Sequence, residues 1–316
     1  MGIGIVNRAT NHSGDNGPEG MYATVKALED LGIVAAGTGQ DLEEAREAKY
    51  LETPKGRIGL VAMASISSAG YPGNPASYVY EGNTGGNAGE NPLHLNVSLV
   101  VTAEQMEVLR KVRDELYEHR ADYPHPVAPI SPNEPKDRLQ MTRYGGSYKV
   151  GDKPGTVSYT MNQEDLQQNL RSIRNGKESS SFMLASLHAL EDSSPLAWDG
   201  TSEYPPDFAI ELAHKAIDNG ADVFLAHGVH HLRGVEIYKG KPIFYGLSHF
   251  TFQLNQQPTM PGSFAALRAD PYHTDITDAE AMWAQWASTG IFRMDAPETL
   301  QSMVVLQMPV SLVLAD

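Results

Sequence analysis

The histidines are the residues whose spacing promises chemistry. The chain has 11, and several sit in polar loops just after apolar runs. His12 lies in Asn11-His12-Ser13-Gly14-Asp15, His188 follows Phe182–Leu187, His227, His230 and His231 follow Asp222–Ala226, and His249 follows Lys241–Tyr245. In open α/β sheets, ligands bind outside the carboxyl ends of strands, so imidazoles arriving there from separate strands can converge. Neutral imidazole ligates metals and also works as an acid or base near neutral pH. An amide carbonyl, as at Asn11, suits a divalent cation, and the adjacent His12 can protonate a leaving group. Asp15 either orients His12 or caps the helix that follows. Glu191 and Asp192 come soon after His188, where a carboxylate can fix a histidine's tautomer. His227 and His230 can share a cation, with Gly228 allowing a close backbone approach.

Taken singly, each histidine also reads as an ordinary hydrogen-bonded surface residue; the set is what points to a site. His231 and His214 are expected to face away, and His94, His119, His125 and His273 have no converging partners in sequence. Other chemistries are excluded. There is no cysteine, hence no disulfide, thiolate nucleophile or cysteine-held metal. Any metal must be held by His, Asp, Glu or Asn. No phosphate-binding glycine loop and no G-x-S-x-G elbow occur. With Lys+Arg 24 against Asp+Glu 39, a net charge of −15 argues against a nucleic-acid partner.

The elements that must position these residues alternate in type. Ile3–Asn7 reads as a strand, followed by a helix carrying Met21, Val25, Leu28 and Leu31 that Gly32 stops. Asp41 with Glu44 predicts a capping box. Tyr50–Thr53 and Arg57–Ala64 form a hairpin across Pro54-Lys55-Gly56, and Thr102 with Gln105 caps a helix expected to bury Met106, Leu109, Val112 and Leu116. An irregular insertion is expected at about 66–159, with Arg143–Tyr159 pairing as a ribbon. Beyond it, Asn162 caps a helix bearing Leu166, Leu170 and Ile173, and a helix over Asp207–Asn219 precedes the strand that ends at His227. Val235–Tyr238 and Lys241–Tyr245 make a hairpin over Lys239-Gly240. The pattern predicts an α/β sandwich with mixed sheets, as one domain over 1–316. No stretch reaches 18 apolar residues, so no transmembrane segment is expected, and the first residues lack the basic and apolar regions of a signal peptide.

Ordered motifs carry a resemblance. They are Asn11-His12-x-x-Asp15-x-Gly17-x-x-Gly20, Gly32-Ile33-x-x-Ala36-Gly37-x-Gly39-x-x-Leu42-x-x-Ala45, Ser186-Leu187-His188-x-x-Glu191, His227-x-x-His230-x-x-x-Gly234-Val235-Glu236 and Lys239-Gly240-Lys241-Pro242-Ile243-Phe244-Tyr245-Gly246-Leu247. Together they resemble the CapA family of capsule or poly-γ-glutamate synthesis proteins, with a calcineurin-like metallophosphatase fold, an αββα sandwich. The resemblance covers 1–70 and 160–255. It implies a divalent metal, Mn, Zn, Fe or Ca, with Asn11, His188, His227 and His230 as ligands. It makes His12 the acid, Asp15 and Glu191 supporting carboxylates, and His249 an added acid/base group where the family has another residue. The family also carries an upstream strand with aspartate ligands, which this sequence does not contain. The implied activity is metal-dependent hydrolysis of a phosphoester or amide bond, on an anionic polymer or a peptide or phosphoester substrate. Two alternatives stand beside it: a polymer-binding accessory subunit of a capsule synthesis complex, and a metal-independent histidine–carboxylate enzyme such as a peptide epimerase. The family is usually extracytoplasmic or membrane-associated.

Overall fold

A computed structural model describes residues 2–67, 75–77, 86–118, 134–141, 146–193 and 202–248. His249, the remaining histidines at 119, 125 and 273 and all three tryptophans lie outside the described residues. Contacts divide the chain into two units, Met1–Leu247 and Ser248–Asp316, and the first holds every element below.

The first unit is an α/β sandwich built on a large mixed sheet of ten strands. Its centre is parallel. β11 (Phe182–Ala189) lies between β5 (Gly56–Ser67) and β12 (Val223–Gly228), and β12 continues to β14 (Lys241–Leu247). These strands are near-continuous apolar runs because helices cover them. Leu187, Val61, Met63 and Phe224 are fully buried. Over them pack α4 (Gln163–Glu178) and α5 (Asp207–Asp218). Asn162 caps α4, its side-chain oxygen accepting from the backbone N–H of Glu164 and Asp165 at 2.9 and 3.1 Å. Leu166, Leu170 and Ile173 enter the core from α4, and Phe208, Leu212, Ala216 and Ile217 from α5. Each large apolar side chain so buried contributes about 1.5–3 kcal/mol.

The hairpins are as the sequence predicts. β4 (Lys49–Thr53) runs antiparallel to β5, and β13 (Val235–Tyr238) to β14, with Lys239 and Gly240 both at positive φ in the connecting turn. A separate two-stranded sheet pairs β1 (Ile5–Asn7) with β2 (Val34–Ala36) in parallel. Between them runs α1 (Gly17–Asp30), of which Met21 is buried while Leu31, just past its end, is 74% exposed. A short α2 (Leu42–Arg46) follows β3 (Thr38–Gly39), with Asp41 accepting from the backbone N–H of Glu44 at 3.0 Å.

The region expected to be irregular is largely ordered where described. β7 (Pro92–Val101) is a strand of the main sheet, joined in parallel to β5, antiparallel to β10 (Val157–Met161) and parallel to β9 (Ser147–Val150). The short β6 (Gly89–Glu90) pairs with β3, and β8 (Arg138–Gln140) with β9. The expected ribbon over Arg143–Tyr159 is therefore replaced: β9 and β10 both pair with β7 rather than with each other. The capping box of α3 (Ala103–Glu118) forms, Gln105 N–H donating to Thr102 at 3.1 Å and Thr102 N–H to Gln105 at 2.9 Å. Its buried face differs from expectation. Met106 and Arg113 are buried, whereas Val112 and Leu116 are exposed. Arg113 turns inward because it meets the Glu134 carboxylate at 2.5 Å, a partner no hydrophobic period can reveal.

Candidate functional site at the carboxyl ends of the parallel strands

The site begins with strand register. β11 and β12 are parallel and place His188 directly beside His227, with Leu187 beside Ala226 and Ala189 beside Gly228. Paired residues of neighbouring strands send side chains to the same face, so the two imidazoles meet. Their Nδ1 atoms are 3.2 Å apart, and the rings stand edge to face with centroids 5.0 Å apart. Gly228 permits this closeness. At φ +111° a β-carbon there would lie 2.6 Å from the carbonyl oxygen of Ala189.

The loop after β1 brings the amides. Asn11 Oδ1 lies 2.8 Å from His188 Nε2, and Asn7 Nδ2 lies 2.8 Å from His227 Nε2. Asn7 also donates to Ser186 Oγ at 2.9 Å, and its own Oδ1 accepts from the backbone N–H of Ala9 at 2.6 Å. Buried Ser13 ties the loop down by donating to the carbonyl of Arg8 and accepting from Thr10 N–H. His12 Nδ1 meets Asp15 Oδ2 at 2.8 Å, and both side chains are largely exposed. Of the two placements open to Asp15 in the sequence, the structure shows the bond to His12. The N-cap of α1 is Asn16.

Burial sets the charge state of the pair. Desolvation, followed by the nearby His227, His12 and His230, lowers His188 to a pKa of about 3. Desolvation lowers His227 to about 4. Both rings are therefore neutral at physiological pH. His12 and His230 act on His188 through space, which puts them in the same neighbourhood. Glu191 sits behind the pair rather than on it. Ser65 donates to Glu191 Oε2 at 2.5 Å and to the carbonyl of His188 at 3.3 Å. Burial raises the Glu191 pKa, against the lowering effect of its bonds with Ser65 and Ser67.

The loops around the site are pinned together by a buried ion pair. Asp192 and Arg233 stand 3.6 Å apart and are 5% and 2% exposed at the side chain. Asp192 accepts from the backbone N–H of Ser193 and Ser202, while Arg233 donates to the carbonyls of Ser202 and Glu191. His231 Nε2 faces the Ser202 carbonyl at 3.1 Å, turned away from the pair as expected, and His214 pairs with Glu236 at 2.8 Å. His94 does have a partner, contrary to the sequence reading: its Nδ1 meets Asp165 at 2.6 Å. A cavity of about 550 Å³ bordered by Glu43, Tyr50, Arg171 and Ser179 lies where the chain enters β11, at the end opposite His188.

A divalent metal is the group the resemblance implies. Two nitrogens at about 2.0–2.1 Å from one tetrahedral ion stand about 3.3 Å apart, close to the spacing of the two Nδ1 atoms. The remaining geometry does not fit. Asn11 faces the other nitrogen of His188, so Asn11 and His227 do not address one point. Among the described residues no group of three or more His, Asp or Glu converges to hold an ion.

Sequence reasoning missed Asn7 and the Asp192–Arg233 pair. Asn7 ends an apolar strand just ahead of the Asn11-His12 loop, and that placement was the available signal.

The histidines and asparagines thus gather at the carboxyl ends of the parallel strands, the edge at which open α/β sheets generally bind ligands. The chain belongs to the family of bacterial capsule synthesis proteins, PGA_cap, whose model matches residues 1–254. The uncharacterized protein y4sH of Sinorhizobium fredii is 38% identical over 288 residues, 90% of this chain and 56% of that protein. A probable polyglutamine synthesis accessory protein of Mycobacterium tuberculosis is 24% identical over 238 residues, 75% of this chain and 42% of that one. The chain thus spans about half the length of the curated relatives it matches.

Proposed function

We propose that the chain serves a bacterial surface-polymer synthesis system of the capsule type and that the histidine cluster is its reaction centre. The family and the accessory role named for the mycobacterial relative support the first part. The observation that carries the second is the His12–Asp15 pair, 2.8 Å apart and open to solvent beside the neutral His188 and His227. Asp15 occupies His12 Nδ1 and leaves Nε2 for proton transfer, the arrangement of an oriented acid–base imidazole. The reaction class is cleavage of an amide or phosphoester bond in an anionic polymer or its precursor. His12 takes a proton from water as its oxygen attacks the acyl carbon or phosphorus, then returns that proton to the leaving nitrogen or oxygen. The net change is addition of one water. Arg8, whose Nε is buried without a hydrogen-bond partner, supplies a cation in the same loop for an anionic substrate group.

The test is turnover of γ-glutamyl peptides and phosphodiester model substrates in excess chelator, with His12→Gln in parallel. Chelator-resistant hydrolysis lost in His12→Gln supports the reading. Hydrolysis abolished by chelator and restored by Mn, Zn, Fe or Ca would replace it with a second, metal-dependent reading. The 3.2 Å spacing of the Nδ1 atoms favours that alternative, which requires Asn7 and the His188 ring to turn. Polymer binding without turnover would leave an accessory role.

A further inference from the structure

The hydrogen bonds across the site run in one direction only. A backbone N–H can only donate, so the Ala9 N–H at 2.6 Å fixes which end of the Asn7 amide is oxygen. The Asn7 nitrogen must then be the atom facing His227 Nε2 at 2.8 Å. An amide NH₂ also only donates, so Nε2 of His227 is bare and its single proton sits on Nδ1. That Nδ1–H donates to Nδ1 of His188, 3.2 Å away, which is therefore bare as well. The proton of His188 is left on Nε2 and donates to Asn11 Oδ1 at 2.8 Å. The chain from Ala9 to Asn11 closes with no two donors or two acceptors facing each other. Run in reverse, it would set the Asn7 nitrogen against an N–H.

We infer that Asn7 is a positioning residue that assigns the protons of both imidazoles, and in doing so keeps the pair closed to a metal ion. Every ring nitrogen of His188 and His227 is committed to this chain. A cation between the two Nδ1 atoms needs both bare, which moves the His227 proton to Nε2, against the Asn7 donor. An aspartate at position 7 reverses that preference. Its carboxylate accepts from His227 Nε2–H, leaves Nδ1 bare, and creates the carboxylate–histidine support that metal-ligating imidazoles use. Ser186, the other acceptor from Asn7, has no part in the direction of the chain and serves as the control.

The inference rests on the same site as the acid–base reading, but its readouts use no turnover, so the two can fail separately. In ¹⁵N-histidine-labelled protein freed of metal by chelator, imidazole nitrogen–proton correlation spectra report which nitrogen carries each proton. The expected result is His227 in the less common Nδ1–H form and His188 in the Nε2–H form, both retained in Ser186→Ala. His227 in the Nε2–H form in the unsubstituted protein would overturn the inference, and this holds even where a variant fails to fold. Titration with Zn²⁺ alone supplies the second measurement. Asn7→Asp is expected to bind at least about tenfold more tightly than the unsubstituted protein, the scale on which outer-shell partners tune metal affinity. Equal or weaker binding by Asn7→Asp would overturn the closure to metal.

Discussion

Two polar networks inside the first unit are built from similar residues and organised in opposite ways. One is the Asn7–His227–His188–Asn11 chain. The other joins Arg46, Asp165, Asn91, Asn169 and His94 where α2, β7 and α4 meet. In the second, charges are paired. Asp165 bonds the Arg46 guanidinium through one oxygen and His94 Nδ1 through the other, at 2.6 Å. Arg46 also reaches Asn91, and Asn91 donates to Asn169 and to the carbonyl of Ala62. In the first network, among the described residues, no carboxylate is bonded to either imidazole, and burial lowers the pKa of both rings so that they are neutral. Buried charge that is fully paired holds elements in place, whereas buried groups poised in one of two proton arrangements store a choice. The difference separates scaffold from site more clearly than burial does.

The sharpest way to break this comparison is Asp165→Ala. It takes the Asp165 carboxylate away from the Arg46 guanidinium, 6% exposed, and is expected to cost about 3–5 kcal/mol in chemical denaturation. A loss below about 1 kcal/mol would mean the network is not scaffold. His227→Ala removes hydrogen bonds between neutral groups only, so the same measurement should show about 1–2 kcal/mol. A loss as large as that of Asp165→Ala would erase the distinction.

The two networks should also separate along the pH axis. Because His188 and His227 are depressed to about 3 and about 4, the unfolded chain takes up protons below about pH 6.5 that the folded pair refuses. Stability is intact above that pH and falls steadily toward pH 4. Burial tends to raise Asp165, but its bonds to His94 and the charge of Arg46 more than offset that and hold it below the usual carboxylate range. Its contribution is lost only as the solution becomes more acidic, below about pH 3.9. Denaturation midpoints across pH 7 to 4 should flatten in the double variant His188→Gln, His227→Gln. The smallest stability effect belongs to the exposed pair. His12→Gln and Asp15→Asn should leave the midpoint unchanged, while His12→Gln lowers turnover about 100-fold.

Much of this was legible in the sequence. His188 and His227 announce themselves because each ends an apolar run, and the caps at Asn162, Asp41 and Thr102 are local chemistry that forms as written. What was hidden depends on partners distant in the chain. β7 sits among glycine- and asparagine-rich neighbours, so its strand pattern over Pro92–Val101 does not stand out. The inward turn of Arg113 depends on Glu134, and the partnership of His94 on Asp165, the first-turn residue of a helix far along the chain. Asn7 was passed over because an asparagine ending a strand looks like a terminator until Ala9, Ser186 and His227 are placed around it.

The register that sets His188 beside His227 has an evolutionary consequence. Slipping β11 against β12 by one residue would oppose Ala226 or Gly228 to His188 and turn an apolar side of the strand outward. The core therefore forbids gradual adjustment of the distance between the rings. Any change in what the site accepts must come from the segments that leave the strands, after Ala189 and after Gly228.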